Sequence, residues 1–359
     1  MTNFETAGGD IIRIKVIGVG GAGNNVVSRM MGTTDGIEFI NVNTDKASLN
    51  AADADVRIQI GEKVTNGRGA GSDPDVGRKA AEESRNNLEK IFENTDMVFI
   101  TAGMGGGTGT GAAPVVASLA KEAGVLTVGV VTRPFKFEGS RKAAIADAGI
   151  EELTGCVDTL LVIPNDKLKD VTDQKITFAN AFQIADGVLN KAVTGIADLL
   201  RSTSFINLDF ADLKTIMKDA GCAHMGTGFA SGKNKVEDAS RDAIFSPLME
   251  TSIQGARRVL IKVTGSLDLT MEDVERVVGR VEEAAHPDAN IIFGVDFDDQ
   301  LVDAIGVIVI ATDFEGDEEP EDTVPELSAE PAVPAPEPVA VAPDEDKEWS
   351  ELMNIFGRD

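Results

Sequence analysis

Apolar and polar positions along this chain alternate in two rhythms. Residues 11–19 are nearly all apolar, and short apolar runs recur at 37–42, 55–60, 97–101, 126–131 and 159–163. Between them lie stretches with helical spacing at 24–31, 76–92, 112–123 and near 139–152. Strands alternating with helices, with the strands apolar on both faces, predict a doubly wound, mostly parallel sheet of the α/β class. Residues 178–200 follow another pattern. Phe178, Ala181, Phe182, Ala185, Val188, Leu189, Ala192, Val193, Ile196, Leu199 and Leu200 recur at three- and four-residue steps, which predicts one long amphipathic helix. Beyond it come a polar segment at 207–217, a glycine-rich stretch at 221–232, helices at 236–250 and 270–284, and strands at 257–263, 290–295 and 304–311. This second part reads as a smaller α+β domain. The expected division is a flexible 1–10, a nucleotide-binding domain at 11–177, a central connecting helix at 178–201, an α+β domain at 202–312, a disordered acidic linker at 313–348 and a docking peptide at 349–359.

Composition narrows the picture. A chain of 359 residues with 42% apolar content has ample core for two domains, and with 16 Phe, one Trp and no Tyr that core must be largely aliphatic. The net charge of −27 argues against a nucleic-acid partner, since there is no basic excess to displace phosphate counterions. Residues 313–359 hold 16 acidic and two basic side chains, about half of that imbalance. Residues 313–348 also carry seven of the 13 prolines, so the segment is expected to stay extended. Apolarity returns at Trp349, Leu352, Ile355 and Phe356, spaced for a short helix that would dock a partner. Cys156 and Cys222 are too few for a disulfide framework and read as small buried residues. The first residues lack a signal-peptide pattern and no run of 18 apolar residues occurs, so a cytoplasmic protein without direct membrane insertion is expected.

Three glycine-rich loops carry the chemistry. Gly18 to Gly23 satisfies G-x-G-x-x-G between a strand and a helix, a pattern that lets backbone approach a phosphate at a helix amino end. A nicotinamide site would also want an acid ending the next strand. That strand ends instead in Asn41 and Asn43, with Asp45 beyond, so the dinucleotide reading fits poorly. Gly103 to Gly111 holds six glycines in nine positions, and Thr108 and Thr110 add hydroxyls. So much glycine makes sense where several N–H groups converge on an anion. No G-K-[ST] follows, so it is not a P-loop. The third loop is Gly67 to Ser72. His224 and His286, the two histidines, read as surface or loop residues rather than as acid–base groups.

Taken together these loops closely resemble the tubulin/FtsZ family, its bacterial FtsZ members far more than eukaryotic tubulin. The resemblance runs over residues 10–312 and rests on GGAGNN at 20–25, GRGAGSDPDVG at 67–77, TAGMGGGTGTGAAP at 101–114, VVTRPFKFEG at 130–139, IPND at 163–166 and NLDFADLKTIM at 207–217. It implies a GTPase that binds GTP or GDP with Mg2+ carried on the phosphates rather than on protein ligands, and with K+ as an optional further ion. It places Gly20, Gly21, Ala22, Gly23, Asn24 and Asn25 at the diphosphate, and Gly103, Gly105, Gly106, Gly107, Thr108 and Gly109 around the phosphates. Ala70, Gly71 and Ser72 would sense the γ-phosphate; Glu138 would hold the ribose, Thr132 and Lys142 would be among the nucleotide-binding residues, and Asn165, Phe182 and Asp186 would read and stack on guanine. A carboxylate at Asp186 suits guanine because it can accept from N1–H and the 2-amino group. Where the family often has arginine, four residues after the glutamate of FEG, this chain has Lys142 with Arg141 beside it; lysine keeps the charge and loses the planar fork.

The phosphate loops offer no evident water-positioning acid. The resemblance supplies one in trans: Asn207, Asp209 and Asp212 would enter the neighbouring subunit's pocket, head to tail, and catalysis would need assembly into a homopolymer for the mid-cell division ring. On residue pattern alone, acids at a helix start are better read as favouring the helix dipole than as catalytic. The terminal peptide would dock membrane-linked adaptors such as FtsA or SepF, although WSELMNIFGRD departs from the family's usual D-I-P-x-F-L.

Overall fold

The computed structural model describes residues 12–32, 36–170, 177, 180–201, 209–246, 248 and 253–314. In chain order the elements are β1 (Ile14–Val19), α1 (Gly20–Met30), β2 (Ile37–Asn43), α2 (Lys46–Ala51), β3 (Val56–Gln59), α3 (Glu62–Thr65), α4 (Pro74–Glu83), α5 (Arg85–Glu89), β4 (Met97–Gly103), α6 (Thr108–Glu122), β5 (Leu126–Arg133), α7 (Ser140–Thr154) and β6 (Thr159–Pro164). Then follow α8 (Ala181–Arg201), α9 (Phe210–Met217), β7 (Gly221–Ser231), α10 (Lys235–Ile244), β8 (Ala256–Gly265), α11 (Met271–Ala284), β9 (Asn290–Phe297) and β10 (Ala304–Phe314).

All ten strands form one sheet in the order β3-β2-β1-β4-β5-β6-β7-β10-β8-β9. β3 through β7 run parallel, whereas β10 is antiparallel to both β7 and β8. The strand order reverses between β1 and β4, and in such sheets ligands bind beyond the carboxyl ends of the strands at the reversal. β4 and β5 are buried on both faces nearly end to end, which is why their sequences do not alternate. On one face α1, α8 and α9 pack through Val26, Val27, Leu189, Val193 and Ile216. On the other, α4, α6 and α7 supply Ala81, Val116, Ala117, Ile150 and Leu153. The second part has its own core, in which Val236 and Ala239 of α10 and Val277 and Val281 of α11 meet alternate residues of β8 and β10. The opposite faces of those strands, Leu260 and Ile310, join the core around α8, so the long helix is shared by both parts.

Several elements differ from the sequence reading. The glycine-rich stretch at 221–232 is an eleven-residue strand, β7. It has few β-branched residues, so propensity hides it, and its glycine serves packing: a β-carbon on Gly228 would lie 1.9 Å from the Ala239 carbonyl oxygen of α10. His224 accordingly sits within a strand, half-buried, its ring 4.8 Å from that of Phe314. The helix expected over 76–92 breaks at Ser84, whose hydroxyl accepts from Gly61 N–H. The last strand continues through Asp313 and Phe314, where Asp313 pairs with Arg258 at 3.0 Å, two residues past the expected domain end. Neither cysteine forms a disulfide, and both are half-buried.

Gly228→Ala is expected to destabilise the fold by about 1–3 kcal/mol through overpacking. Gly279→Ala, in α11 with nothing within 4 Å of an added β-carbon, is expected to stabilise it by roughly 0.5–1 kcal/mol. Thermal melting of the two variants against the parent should move the midpoint in opposite directions.

Candidate functional site

β1 and β4 end side by side, and each feeds directly into a helix: α1 begins at Gly20, one residue past the strand, and α6 at Thr108. A helix start leaves N–H groups without partners inside the helix. At α2, α4, α9 and α11 a side chain accepts from one of them. At α1 and α6, preceded by Val19 and Gly107, no side-chain cap exists, and neither first turn contains an acid. The two amino ends at the sheet reversal are therefore left with their dipoles and donors for an anion. Glycine lets the loops meet there: Gly20 has φ +74°, and a β-carbon on it would stand 2.9 Å from Gly109 N. Gly106, by contrast, has nothing within 4 Å of where a β-carbon would be, so bare backbone faces open space.

These loops form one side of a cleft of about 280 Å³. From the first loop it is lined by Gly20, Gly21 and Ala22, and from the second by Gly103, Gly105, Gly106, Gly107, Thr108 and Gly109. Thr132, Glu138, Lys142, Asn165, Phe182 and Asp186 line the rest, so the structure brings these sequence candidates to one place. Lys142 is on the cleft wall, whereas Arg141 is an exposed residue outside its lining. Glu138 is held from both sides: one oxygen accepts from Phe135 N–H at 3.0 Å and the other pairs with Lys142 Nζ at 3.0 Å. Thr110 does not face an anion; its buried hydroxyl accepts from Gly105 N–H at 2.9 Å and staples the glycine loop.

Outside the glycine loops the cleft lining carries a buried amide, a buried carboxyl and an aromatic ring. Asn165 is buried, and its Oδ1 has no hydrogen-bond partner among the described residues. Asp186, also buried on α8, lies 3.2 Å from Arg29 Nε of α1. Burial pushes its carboxyl up to about 6, and the Arg29 guanidinium offsets only part of that cost. An orphaned acceptor and a desolvated carboxylate facing one cleft are groups that a ligand's N–H donors would relieve. Phe182, 44% exposed, flanks them and meets Phe135 and Phe137 edge-on, with centroids at 5.6 and 6.4 Å.

Some candidates lie elsewhere. Gly23 and Asn24 are buried behind the first loop and Asn25 is exposed beside it. The Asn24 amide is fully engaged: Nδ2 donates to Gly18 O at 2.7 Å and Oδ1 accepts from Asn43 Nδ2 at 2.7 Å. Ala70, Gly71 and Ser72 do not line the cleft; Ala70 is buried against the back of the second loop, next to Gly107. Asp209 caps α9 by accepting from Ala211 N–H at 3.3 Å, and both it and Asp212 are exposed and outside the cleft. Asn207 lies outside the described residues, as do Trp349, Leu352, Ile355 and Phe356. Sequence reading missed Val19, Met104, Pro134 and Ala185 in the lining, and Arg29 beside Asp186. The first four are apolar neighbours of motif residues; Arg29 has no signal in sequence, because its partner is on a helix far along the chain.

Comparison with known proteins follows the same division. The tubulin/FtsZ family GTPase domain matches residues 13–173, and the FtsZ family C-terminal domain matches 221–315. Among solved structures, an empty FtsZ dimer from M. jannaschii is 42% identical, with a TM-score of 0.80, over 84% of this chain and 88% of that one. A single-substitution mutant of FtsZ from M. jannaschii is 41% identical, with a TM-score of 0.81, over 84% and 91%. At 21% identity, CetZ2 from Haloferax volcanii, in a GTPγS-bound protofilament, shares the fold with a TM-score of 0.70 over 84% and 92%. The chain belongs to the tubulin/FtsZ family of GTPases, with the C-terminal domain of its FtsZ members.

Proposed function

We propose that this protein is a self-assembling GTPase whose head-to-tail filaments build the cell-division ring beneath the membrane at mid-cell, with each GTP hydrolysed at a subunit boundary. The observation that carries this reading is the separation of grip from carboxylates. Asp186 lies in the cleft near the amino end of α8, and α8 continues 15 residues further, about 22 Å of helix; Asp209 and Asp212 come later in the chain, at the start of α9. The carboxyl end of α9 is in turn tied to the amino edge of the sheet. Thr159, the first residue of β6, donates to Met217 O, and Arg258 donates to Thr215 O and Lys218 O at 3.2 and 3.1 Å. Phosphoryl transfer needs positioning, charge neutralisation and an oriented water. One subunit has the first at its cleft, and the exposed acids of α9 are available to the next. A contact of that kind is heterologous and does not close, so it propagates as a filament.

In this reading the uncapped ends of α1 and α6 and the Thr108 hydroxyl hold the phosphates, Glu138 with Lys142 lies by the ribose, and Phe182 stacks on the base while Asn165 and Asp186 read its edge. Mg2+ riding on the phosphate oxygens would neutralise charge that develops there, and K+ remains an optional further ion. Asp209, Asp212 and Asn207 of the neighbour would orient the attacking water. Segment 349–359, through Trp349, Leu352, Ile355 and Phe356, would tether filaments to adaptors such as FtsA or SepF. Support for assembly comes from the relatives described as a dimer and as a protofilament.

A trans-completed site makes GTPase rate rise faster than linearly from a threshold protein concentration, whereas a straight line through zero would contradict it. Asp212→Ala should abolish turnover while leaving GTP affinity within about twofold of the parent, because the exposed side chain is no part of the cleft.

Asp186 gives a pH test. In the nucleotide-free fold its carboxyl is raised from 3.8 to about 6, so the proton-bound fold is favoured below the unfolded value and that advantage is lost as pH rises through 6. The shift is worth about 3 kcal/mol. Guanine donors would replace lost water and pull the value back down, so GDP binding should release a proton near pH 6 and tighten between pH 5 and 7. Calorimetric titrations in buffers of different ionisation heat measure that release; Asp186→Asn should remove both the proton and the pH dependence.

A further inference from the structure

Segment Asn43–Thr44–Asp45 leaves β2 where a nicotinamide enzyme would carry its acid, and the nucleotide reading gives it no task. We propose that Thr44 is the positioning residue that couples the three glycine loops, so that a terminal phosphate held at Thr108 orders the 65–72 loop. The proposal rests on the nucleotide-binding reading of the cleft.

Bonds from this segment reach every loop. Toward the first, Asn43 Nδ2 donates to Asn24 Oδ1 at 2.7 Å, and Asn24 in turn donates to Gly18 O. Toward the second, Thr44 Oγ1 and Thr108 Oγ1 lie 2.6 Å apart. Toward the third, the Thr44 carbonyl accepts from Gly69 N–H at 3.3 Å and from the Thr65 hydroxyl at 3.2 Å, and Lys46 N–H donates to Gly67 O at 3.1 Å. Thr44 is fully buried, so water cannot replace any of these partners. Asp45 is committed elsewhere: its carboxylate caps α2 by accepting from Ser48 N–H at 2.7 Å, which holds it below the usual carboxylate range.

The two hydroxyls have one donor orientation between them. With an anion in the cleft, Thr108 turns its proton to a phosphate oxygen, and its own oxygen must then accept from Thr44. Thr44 thereby fixes Thr108 as a donor to phosphate. The carbonyl of the same residue carries the Gly69 and Thr65 bonds, so a hydroxyl locked at one end steadies the loop at the other. Thr44 acts through Thr108 and touches no nucleotide itself.

Thr44→Val keeps the shape and removes the hydroxyl. Fluorescent GTPγS and GDP titrations should show a loss of roughly tenfold for GTPγS, the size of one hydrogen bond to a charged group, and a smaller loss for GDP. Thr44→Ser should restore the GTPγS affinity. Thr108→Val should be as weak as the Thr44→Val/Thr108→Val double variant, because one acts through the other. Equal losses for both nucleotides, no rescue by serine, or additive effects would overturn the proposal. A second measurement uses the unaltered full-length chain and stands even if Thr44→Val fails to fold: hydrogen exchange of residues 65–72 should be slower with GTPγS than with GDP, and equal exchange would overturn the coupling. If the unaltered chain binds neither nucleotide, the reading of the cleft fails instead, so the two failures are distinct.

Discussion

The uncapped amino ends of α1 and α6, facing one crevice, are the feature from which the rest of the architecture follows. Two helices can direct donors at one anion only if they leave neighbouring parallel strands on opposite faces of the sheet. That requires the order reversal between β1 and β4. It also requires loops without side chains in the way, which is why Gly20 and Gly109 touch through backbone and why Gly106 faces open space. No lysine is needed at the phosphates when so many N–H groups converge, and that accounts for a phosphate loop without a P-loop pattern. The adjoining lining holds Asn165, Asp186 and Phe182, which under the proposed reading would supply specificity for the base rather than charge for the phosphates.

α8 turns that local geometry into a property of the whole chain. Its first turns contribute Phe182 and Asp186 to the cleft, its middle packs Val193 and Ile196 into the core, and its last turn leads toward α9. Farther along, Asp198 meets the buried ammonium of Lys262 on β8 at 3.2 Å, with Asp296 of β9 at 3.8 Å. A buried lysine with two carboxylates is a costly group to leave unpaired, so it fixes the helix against the C-terminal strands. One helix therefore bears Phe182 and Asp186 of the cleft at one end and is fixed against the C-terminal strands towards the other.

Much of this was legible in the sequence because the strands of the parallel half are buried on both faces and announce themselves as apolar runs. The glycine loops were equally plain, since glycine clusters between strand and helix have few other uses. What stayed hidden has a common cause. β7 has few β-branched residues, and at Gly228 a packing demand, the close approach of α10, overrode propensity. Arg29, Thr44 and the Phe135 and Phe137 rings that meet Phe182 act through partners distant in sequence, which no local pattern encodes. Asp209 shows a residue with two readings: its capping bond is present, and that bond does not speak against a role toward a neighbour, because both Asp209 and Asp212 are exposed residues.

The buried polar groups divide into two kinds, and the division separates scaffold from site. Asn24, Asn41 and Asn43 are uncharged and bonded through Asn24, and Thr44 pairs with Thr108, so burying them costs little once their partners are made. An acid ending β2 would instead have to be desolvated beneath the first loop, and amides avoid that cost while still pinning the turn. Asp186 and Asn165 are the opposite case. One is a carboxylate whose desolvation exceeds what Arg29 returns, the other an amide oxygen with no partner among the described residues. Native folds seldom leave such groups unrelieved without a ligand to satisfy them. Both line one cleft, whereas no buried side-chain atom of Asn41, Asn43 or Thr44 lacks a partner; under the proposed reading, the unrelieved pair is where a nucleotide's edge would be met and the bonded turn is what supports the loops.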